Sequence, residues 1–157
     1  MLLAVLYIAG MNTIRYGLTA FLFICTMAMV QCQSSQKVGR VEYSSLTRGF
    51  QKHIVITADS VITTISGRQQ QASRRLVTPE EWATVQKSLH GVSLSEIPTL
   101  KSPSQAREYD GARHSTLTLF TSDGKTVAHT FDDEKANAKL MPLMSAVRAI
   151  EQTGAGQ

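Results

Sequence analysis

Past residue 32 the chain contains no cysteine. Its two cysteines, Cys25 and Cys32, lie at the very start of a 157-residue sequence, so no disulfide can staple the body of the protein, which must hold together on its core. Other absences narrow the function. Lys and Arg number 16 against 12 Asp and Glu, a formal net charge of +4, but the excess is scattered and Arg74-Arg75 is the one adjacent basic pair. A nucleic-acid groove calls for a basic stripe interleaved with aromatics, and aromatics make up only 6% of the chain, so no nucleic-acid partner is expected. No Gly-x-Ser-x-Gly elbow and no phosphate-cradling glycine loop occur. Ser34 and Lys37 have the spacing of a Ser-x-x-Lys pair but stand in a polar tether where no partner shell can form. The four histidines, His53, His90, His114 and His129, have no Cys or carboxylate at zinc-ligand spacing. No metal and no cofactor are expected.

What the sequence does have begins with a leader. Arg15 is the only charge in residues 1–31, and Tyr16–Val30 is an apolar run of signal-peptide length, short for a membrane span. Residues 11–15 make a normal charged region in front of it, so either Met1 or Met11 can serve as the start; from Met1, a signal anchor competes with a cleaved leader. Cys32 follows the run directly, and 33–39 is a polar tether. Met29-Val30-Gln31-Cys32 resembles the lipobox of bacterial lipoproteins, with Gln31 departing from the usual small residue. The resemblance implies that residues 1–31 are a signal peptide, that Cys32 is acylated, and that the acyl chains tie the protein to a membrane of the cell envelope, facing the periplasm. Simple secretion is the alternative.

The body, 40–152, is organised around 115–131. Apolar and Thr residues alternate on both sides of Ser122-Asp123-Gly124, which predicts a β-hairpin. A three-residue loop pairs Leu119 with Val127 and gathers Leu117, Leu119, Val127, His129 and Phe131 on one face; a two-residue loop scatters them. One residue of slip exchanges the two faces, so the patterning selects the longer loop, with Gly124 left-handed. Residues 40–57 carry a first strand with a break at Arg48-Gly49, and 60–65 a second. Pairing Ile56 with Val61 puts Phe50, Ile54, Ile56, Val61 and Ile65 together. Residues 67–75 are polar and read as a ragged strand end or a loop.

Thr78-Pro79-Glu80-Glu81 has the pattern of a capping box, with proline at the first helical position. Trp82, Val85 and Leu89 follow at helical spacing, and Trp82 is the expected anchor of that helix. A second helix carries Leu140, Leu143, Met144, Val147 and Ile150, beginning near Pro142 and capped by Asp132, Asp133 or Asn137. The expected fold is therefore α+β: an antiparallel sheet of about four strands in a ββα-ββα order, with two helices on one face. Residues 153–157 should fray.

Gly49-Phe50, the Thr78-Pro79-Glu80-Glu81-Trp82 helix start, Pro103, Tyr109-Asp110-Gly111-Ala112 and Phe131-Asp132 together resemble a group of small lipoproteins of the Bacteroidota. The group has no assigned activity. The resemblance implies location and fold, and supplies no catalytic residue.

The long irregular stretch 101–113 is the expected binding region, since loops on a rigid scaffold carry recognition. Tyr109, Asp110, Arg113 and His114 put a phenol, a carboxylate, a guanidinium and an imidazole within a few residues. The plainer reading has Asp110 capping a turn that Gly111 needs for its backbone angle. Asp132, Asp133 and Glu134 read as negative charge at the start of the last helix. The chain is thus expected to be a non-enzymatic envelope domain that binds a protein, peptide or glycan. The alternative is a hydrolase or metal-dependent enzyme using Asp110 with His114 or His53.

Overall fold

The computed structural model describes residues 37–109 and 111–155; the leader, Cys32 and Asp110 lie outside the described residues. Six strands form one antiparallel sheet: β1 (Val38–Thr47), β2 (Phe50–Thr57), β3 (Ser60–Ser66), β4 (Gln71–Leu76), β5 (His114–Thr121) and β6 (Thr126–Asp132). The spatial order is β4-β3-β2-β1-β5-β6. Two α-helices, α1 (Pro79–Ser88) and α2 (Met141–Ala155), join it, with short 3₁₀ turns at Leu94–Thr99, Ala106–Tyr109 and Ala138–Leu140. The expected four-strand ββα-ββα arrangement is therefore wrong. The chain runs ββββα-ββα, a mainly-β variant of an α+β fold.

The two extra strands have physical reasons for escaping notice. What reads as one interrupted strand is two, because Arg48-Gly49 is a tight turn that sets Thr47 opposite Phe50, with Gly49 at φ 75°. β1 starts at Val38, inside the expected tether. It looks polar because Ser45, where alternation calls for an apolar residue, is buried and accepts a hydrogen bond from the Ser115 hydroxyl at 3.1 Å. The Tyr43 hydroxyl lies 3.3 Å from Ser115 Oγ and donates to the Asp133 carbonyl at 3.2 Å. This chain of hydroxyls satisfies groups that would otherwise be costly to bury. β4, Gln-Ala-Ser-Arg-Arg-Leu, is exposed almost throughout and carries no alternation at all.

Both hairpins have the register that the side-chain pattern selects: Leu119 opposite Val127 and Ile56 opposite Val61. Gly124 closes the first at φ 83°, with the Thr121 and Lys125 backbones paired across the loop. One face of the sheet is therefore apolar: Val41, Tyr43, Ile54, Ile56, Val61, Leu117, Leu119 and Phe131 are buried there. They meet Val85 of α1, Leu143, Met144, Val147 and Ile150 of α2, and Leu94 and Ile97 of the first 3₁₀ turn in a single core.

In α1 the capping box forms as expected, with Thr78 Oγ1 accepting from the Glu81 N–H at 3.2 Å and Glu81 Oε2 accepting from the Thr78 N–H at 2.9 Å. Trp82 is not the anchor: it packs half-buried at the margin, and Val85 is the one residue of α1 that is fully covered. Arg75 fastens β4 to both helices. Its guanidinium grips Glu81 with two bonds of 2.8 and 2.9 Å and also donates to the Ile150 carbonyl of α2. That hydrogen bond from Arg75 is the main reason the Glu81 carboxyl sits below its ordinary pKa, with burial opposing it. α2 starts at Met141, one residue before Pro142, where a missing N–H costs nothing. Of the three candidate caps, Asn137 serves, accepting from the Lys139 N–H at 3.1 Å ahead of the 3₁₀ turn that leads into α2.

Candidate binding surface

The stretch 101–113 is fastened at one end of the sheet by the carboxylates of Asp132 and Asp133. Asp132, at the end of β6, is 2% exposed. One of its oxygens accepts from the Ser104 hydroxyl and from the Ala106 N–H at 2.7 Å; the other accepts from the Arg107 guanidinium at 2.7 Å and the Arg107 N–H at 3.4 Å. Burial alone pushes the Asp132 carboxyl up. The Ser104 hydroxyl, the Arg107 guanidinium and the two backbone N–H groups outweigh it and bring the pKa to about 2. Asp132 thus caps the Ala106–Tyr109 turn from across the fold.

Asp133 makes the next fastening. It sits at φ 53°, its N–H donates to the Arg113 carbonyl at 2.9 Å, and its carboxylate accepts from the Arg113 N–H at 3.0 Å. These two aspartates belong to the loop, and the expectation that they serve as helix-terminal charge is corrected. Gly111 is corrected as well. Its φ is not left-handed; a Cβ there would lie 3.2 Å from the Ala106 carbonyl oxygen, to which the Gly111 N–H donates at 2.9 Å. Close approach to that carbonyl, not backbone angle, is what favours the glycine.

The four residues expected to bind take different positions. Tyr109 is 84% exposed, at the end of its 3₁₀ turn. Arg113 is half-buried and turned toward Asp133 at 3.5 Å. His114 opens β5 on the uncovered face of the sheet, opposite Leu46, which is 54% exposed. Asp110 lies outside the described residues.

The uncovered sheet face is a polar mosaic. Glu42, near its centre, pairs with Arg40 at 3.0 Å and His53 at 3.5 Å, while the Arg40 guanidinium stacks 3.8 Å over the Phe120 ring. Thr116 and Thr130 share a hydroxyl contact of 3.3 Å beside them. His53 and His114 do not converge. They are separated by β1 and by two residues along the strands, about 12 Å from strand spacing and rise. His129 faces the core, 3% exposed and stacked on Phe131 with ring centres 5.6 Å apart. Its Nε2 has no hydrogen-bond partner among the described residues, and burial, aided by the Arg107 charge, pushes its pKa below the usual imidazole value.

Among the described residues no cluster of three His, Cys, Asp or Glu side chains could hold a metal ion, and no helix is long and apolar enough to cross a membrane. A cleft between β4 and α2, lined by Ser73, Arg74, Arg75, Ile150 and Glu151 among others, has a volume of about 50 Å³. That admits water, whereas small-molecule sites occupy roughly 300–1,000 Å³. The buried hydroxyls of Ser45 and Ser115 are sealed from solvent and cannot meet a substrate. Comparison of the chain with protein-family models, with curated proteins and with solved structures found no match.

Proposed function

We propose that this chain is a non-enzymatic, lipid-anchored binding domain of the bacterial cell envelope, whose contact surface is the rim formed by the 101–113 loop, His114 and the adjoining open sheet face. The observation that carries the reading is the loop itself. A buried carboxylate, an arginine, two backbone N–H groups and a serine hydroxyl are committed to fixing it, and the residue it presents, Tyr109, is almost entirely solvent-exposed. Tyrosine is favoured at recognition surfaces because it offers a large rigid contact at small entropic cost. The leader, the lipobox-like Cys32 and the resemblance to small Bacteroidota lipoproteins support the location.

β1 begins at one end of the sheet, and the Tyr109 rim adjoins the Leu46–His114 pair at the other; the partner read there is a protein, peptide or glycan of the envelope.

Two measurements test this. Mass spectrometry of the native product should find an acylated amino-terminal Cys32; an unmodified Cys32 removes the anchor. A photo-crosslinker at position 109 in intact cells should give a discrete adduct that a crosslinker at exposed Thr84 on α1 does not. Identical adducts from the two positions would refute the rim.

The enzyme reading, with Asp110 working with His114 or His53, has less support. His53 is engaged with Glu42 and stands about 12 Å from His114.

A further inference from the structure

The two edges of the sheet are treated differently. β6 is overlaid by the 3₁₀ turns at Leu94–Thr99 and Ala106–Tyr109, and its His129, Phe131 and Asp132 are buried. β4 is bare: five of its six residues are exposed, Leu76 to 78%. The Val77 N–H donates to the Asp59 carbonyl at 3.1 Å, which makes Asp59 and Val77 a hydrogen-bonded pair. Stepping by two along the register, Val61–Arg75, Thr63–Ser73 and Ile65–Gln71 are bonded pairs too. Ala72, Arg74 and Leu76 then turn their backbone groups away from β3. The Leu76 carbonyl is taken by the Arg75 guanidinium at 2.8 Å; the Ala72 and Arg74 backbones face solvent.

The charge on this edge is of one sign. Residues 60–76 contain Arg68, Arg74 and Arg75 and no Asp or Glu. Arg75 is committed to Glu81, whereas no ion-pair partner of Arg74 is found among the described residues. Arg74 and Leu76 both project to the open face, where Ile62 is also exposed. Pairing of β4 with a second copy of itself would bring two arginine-bearing edges together, which opposes a symmetric dimer.

We infer that the β4 edge is a strand-addition site for an extended peptide segment carrying an acidic residue two positions from an apolar one. The incoming backbone pairs with Ala72 and Arg74, its carboxylate meets the Arg74 guanidinium, and its apolar side chain packs on Leu76. Main-chain bonds supply affinity and the alternate side chains supply selectivity, as in other cases of strand addition. This site is separate from the Tyr109 rim and needs no anchor at Cys32, so its failure and the failure of that reading are independent.

The test uses the full chain, and as probe the peptide acetyl-Thr-Leu-Thr-Glu-Thr-Thr-amide. In antiparallel register this sets Leu against Leu76 and Glu against Arg74. Amide shifts in nuclear magnetic resonance should concentrate at Ala72, Arg74 and Leu76, with slowed hydrogen exchange there. Replacing the peptide Glu by Lys, or the protein's Arg74 by Glu, should weaken binding at least tenfold, while the Arg74→Glu protein keeps the melting temperature of the parent. Equal binding of the Lys peptide, shifts confined to other elements, or no shift at millimolar peptide each overturns the inference. So does a concentration-dependent dimer that protects the same amides without peptide, because the occupant would then be a second copy.

Discussion

Arg107 and Asp132 meet at 2.7 Å beneath the 101–113 loop, and their side chains are 15% and 2% exposed. The pair joins a 3₁₀ turn to the last strand of the sheet across 25 residues of sequence. A carboxylate so enclosed is tolerated because every oxygen has donors. Removing the charge leaves those donors facing a weaker acceptor, and removing Arg107 leaves the acid under-compensated. Asp132→Ala should therefore destabilise the domain by about 3 kcal/mol, within the range for breaking one side of a buried pair, measured by urea unfolding. The amides of Ala106 and Arg107 should lose their protection first. A variant with full stability and unchanged exchange at those amides contradicts the clamp.

The same carboxylate predicts an acid limb. Its folded pKa, about 2, lies below the ordinary carboxyl value of 3.8, so the unfolded chain takes up the proton first as pH falls. The stabilisation is present above about pH 4 and lost between there and pH 2. Asp123, held down to about 2 chiefly by the Thr121 hydroxyl and then by Lys125, titrates in the same window. The informative quantity is thus a difference: the stability of Asp132→Asn should fall less steeply than that of the parent between pH 4 and 2. Parallel curves would remove Asp132 from the account.

How much of this was legible beforehand depends on range. The hairpin registers were, because Leu117, Leu119, Val127 and Phe131 segregate in only one of them, and so was the Thr78–Glu81 capping box. Both are patterns within a few residues. β4 was not, since nothing in Gln71–Leu76 alternates and the strand is kept in place by Arg75 reaching Glu81 and Ile150. β1 was half-hidden because Ser45 takes a core position through a hydrogen bond from Ser115, 70 residues away. For the candidate surface, the sequence singled out the 101–113 loop but not the residues that fasten it. Asp132 and Asp133 look like helix-end charges until the fold brings Ser104, Ala106, Arg107 and Arg113 to them. Four strands were expected where six form: the turn at Gly49 divides one expected strand in two, and β4 depends on contacts that are not local.

Among the described residues, His129 is a core position whose side chain leaves a polar nitrogen unpaired. It sits opposite Leu117 and against Phe131 with Nε2 unpartnered. Since burial and Arg107 lower its folded pKa from 6.5, its contribution is intact above about pH 6.5 and declines as pH falls below that value, where the unfolded chain protonates. His129→Leu should remove this upper limb and stabilise the protein at pH 7 by about 1 kcal/mol, the lower end of the penalty for an unsatisfied buried polar atom. A loss of stability would mean that the imidazole has a partner after all.

Two turn glycines separate strain from space. Gly49 and Gly124 have φ of 75° and 83°, and a Cβ at either meets nothing within 4 Å. Alanine at either position should cost about 1–2 kcal/mol, through backbone strain alone, and asparagine should recover part of it because it tolerates the left-handed region. Gly111→Ala should behave in the opposite way, costing little global stability but shifting the Ala106 carbonyl it would crowd. Thermal denaturation of the three variants, with chemical shifts around Ala106, distinguishes the cases. Equal losses at all three positions would show that the Ala106 carbonyl cannot yield to a Cβ at Gly111.

Tyr109 gives the sharpest contrast between fold and function. Its side chain is 84% exposed, and substitutions at such positions usually change stability by no more than about 0.5 kcal/mol. Asp132→Ala, by comparison, disturbs both the loop and the fold. If the rim is the contact surface, Tyr109→Ala should leave the unfolding midpoint unchanged and still abolish an adduct trapped in intact cells by a crosslinker at Ala112, on the same loop. Asp132→Ala should abolish the adduct and lower stability as well. Retention of the adduct in the Tyr109→Ala protein would mean that the exposed ring is incidental, and that whatever binds there reads the open sheet face instead.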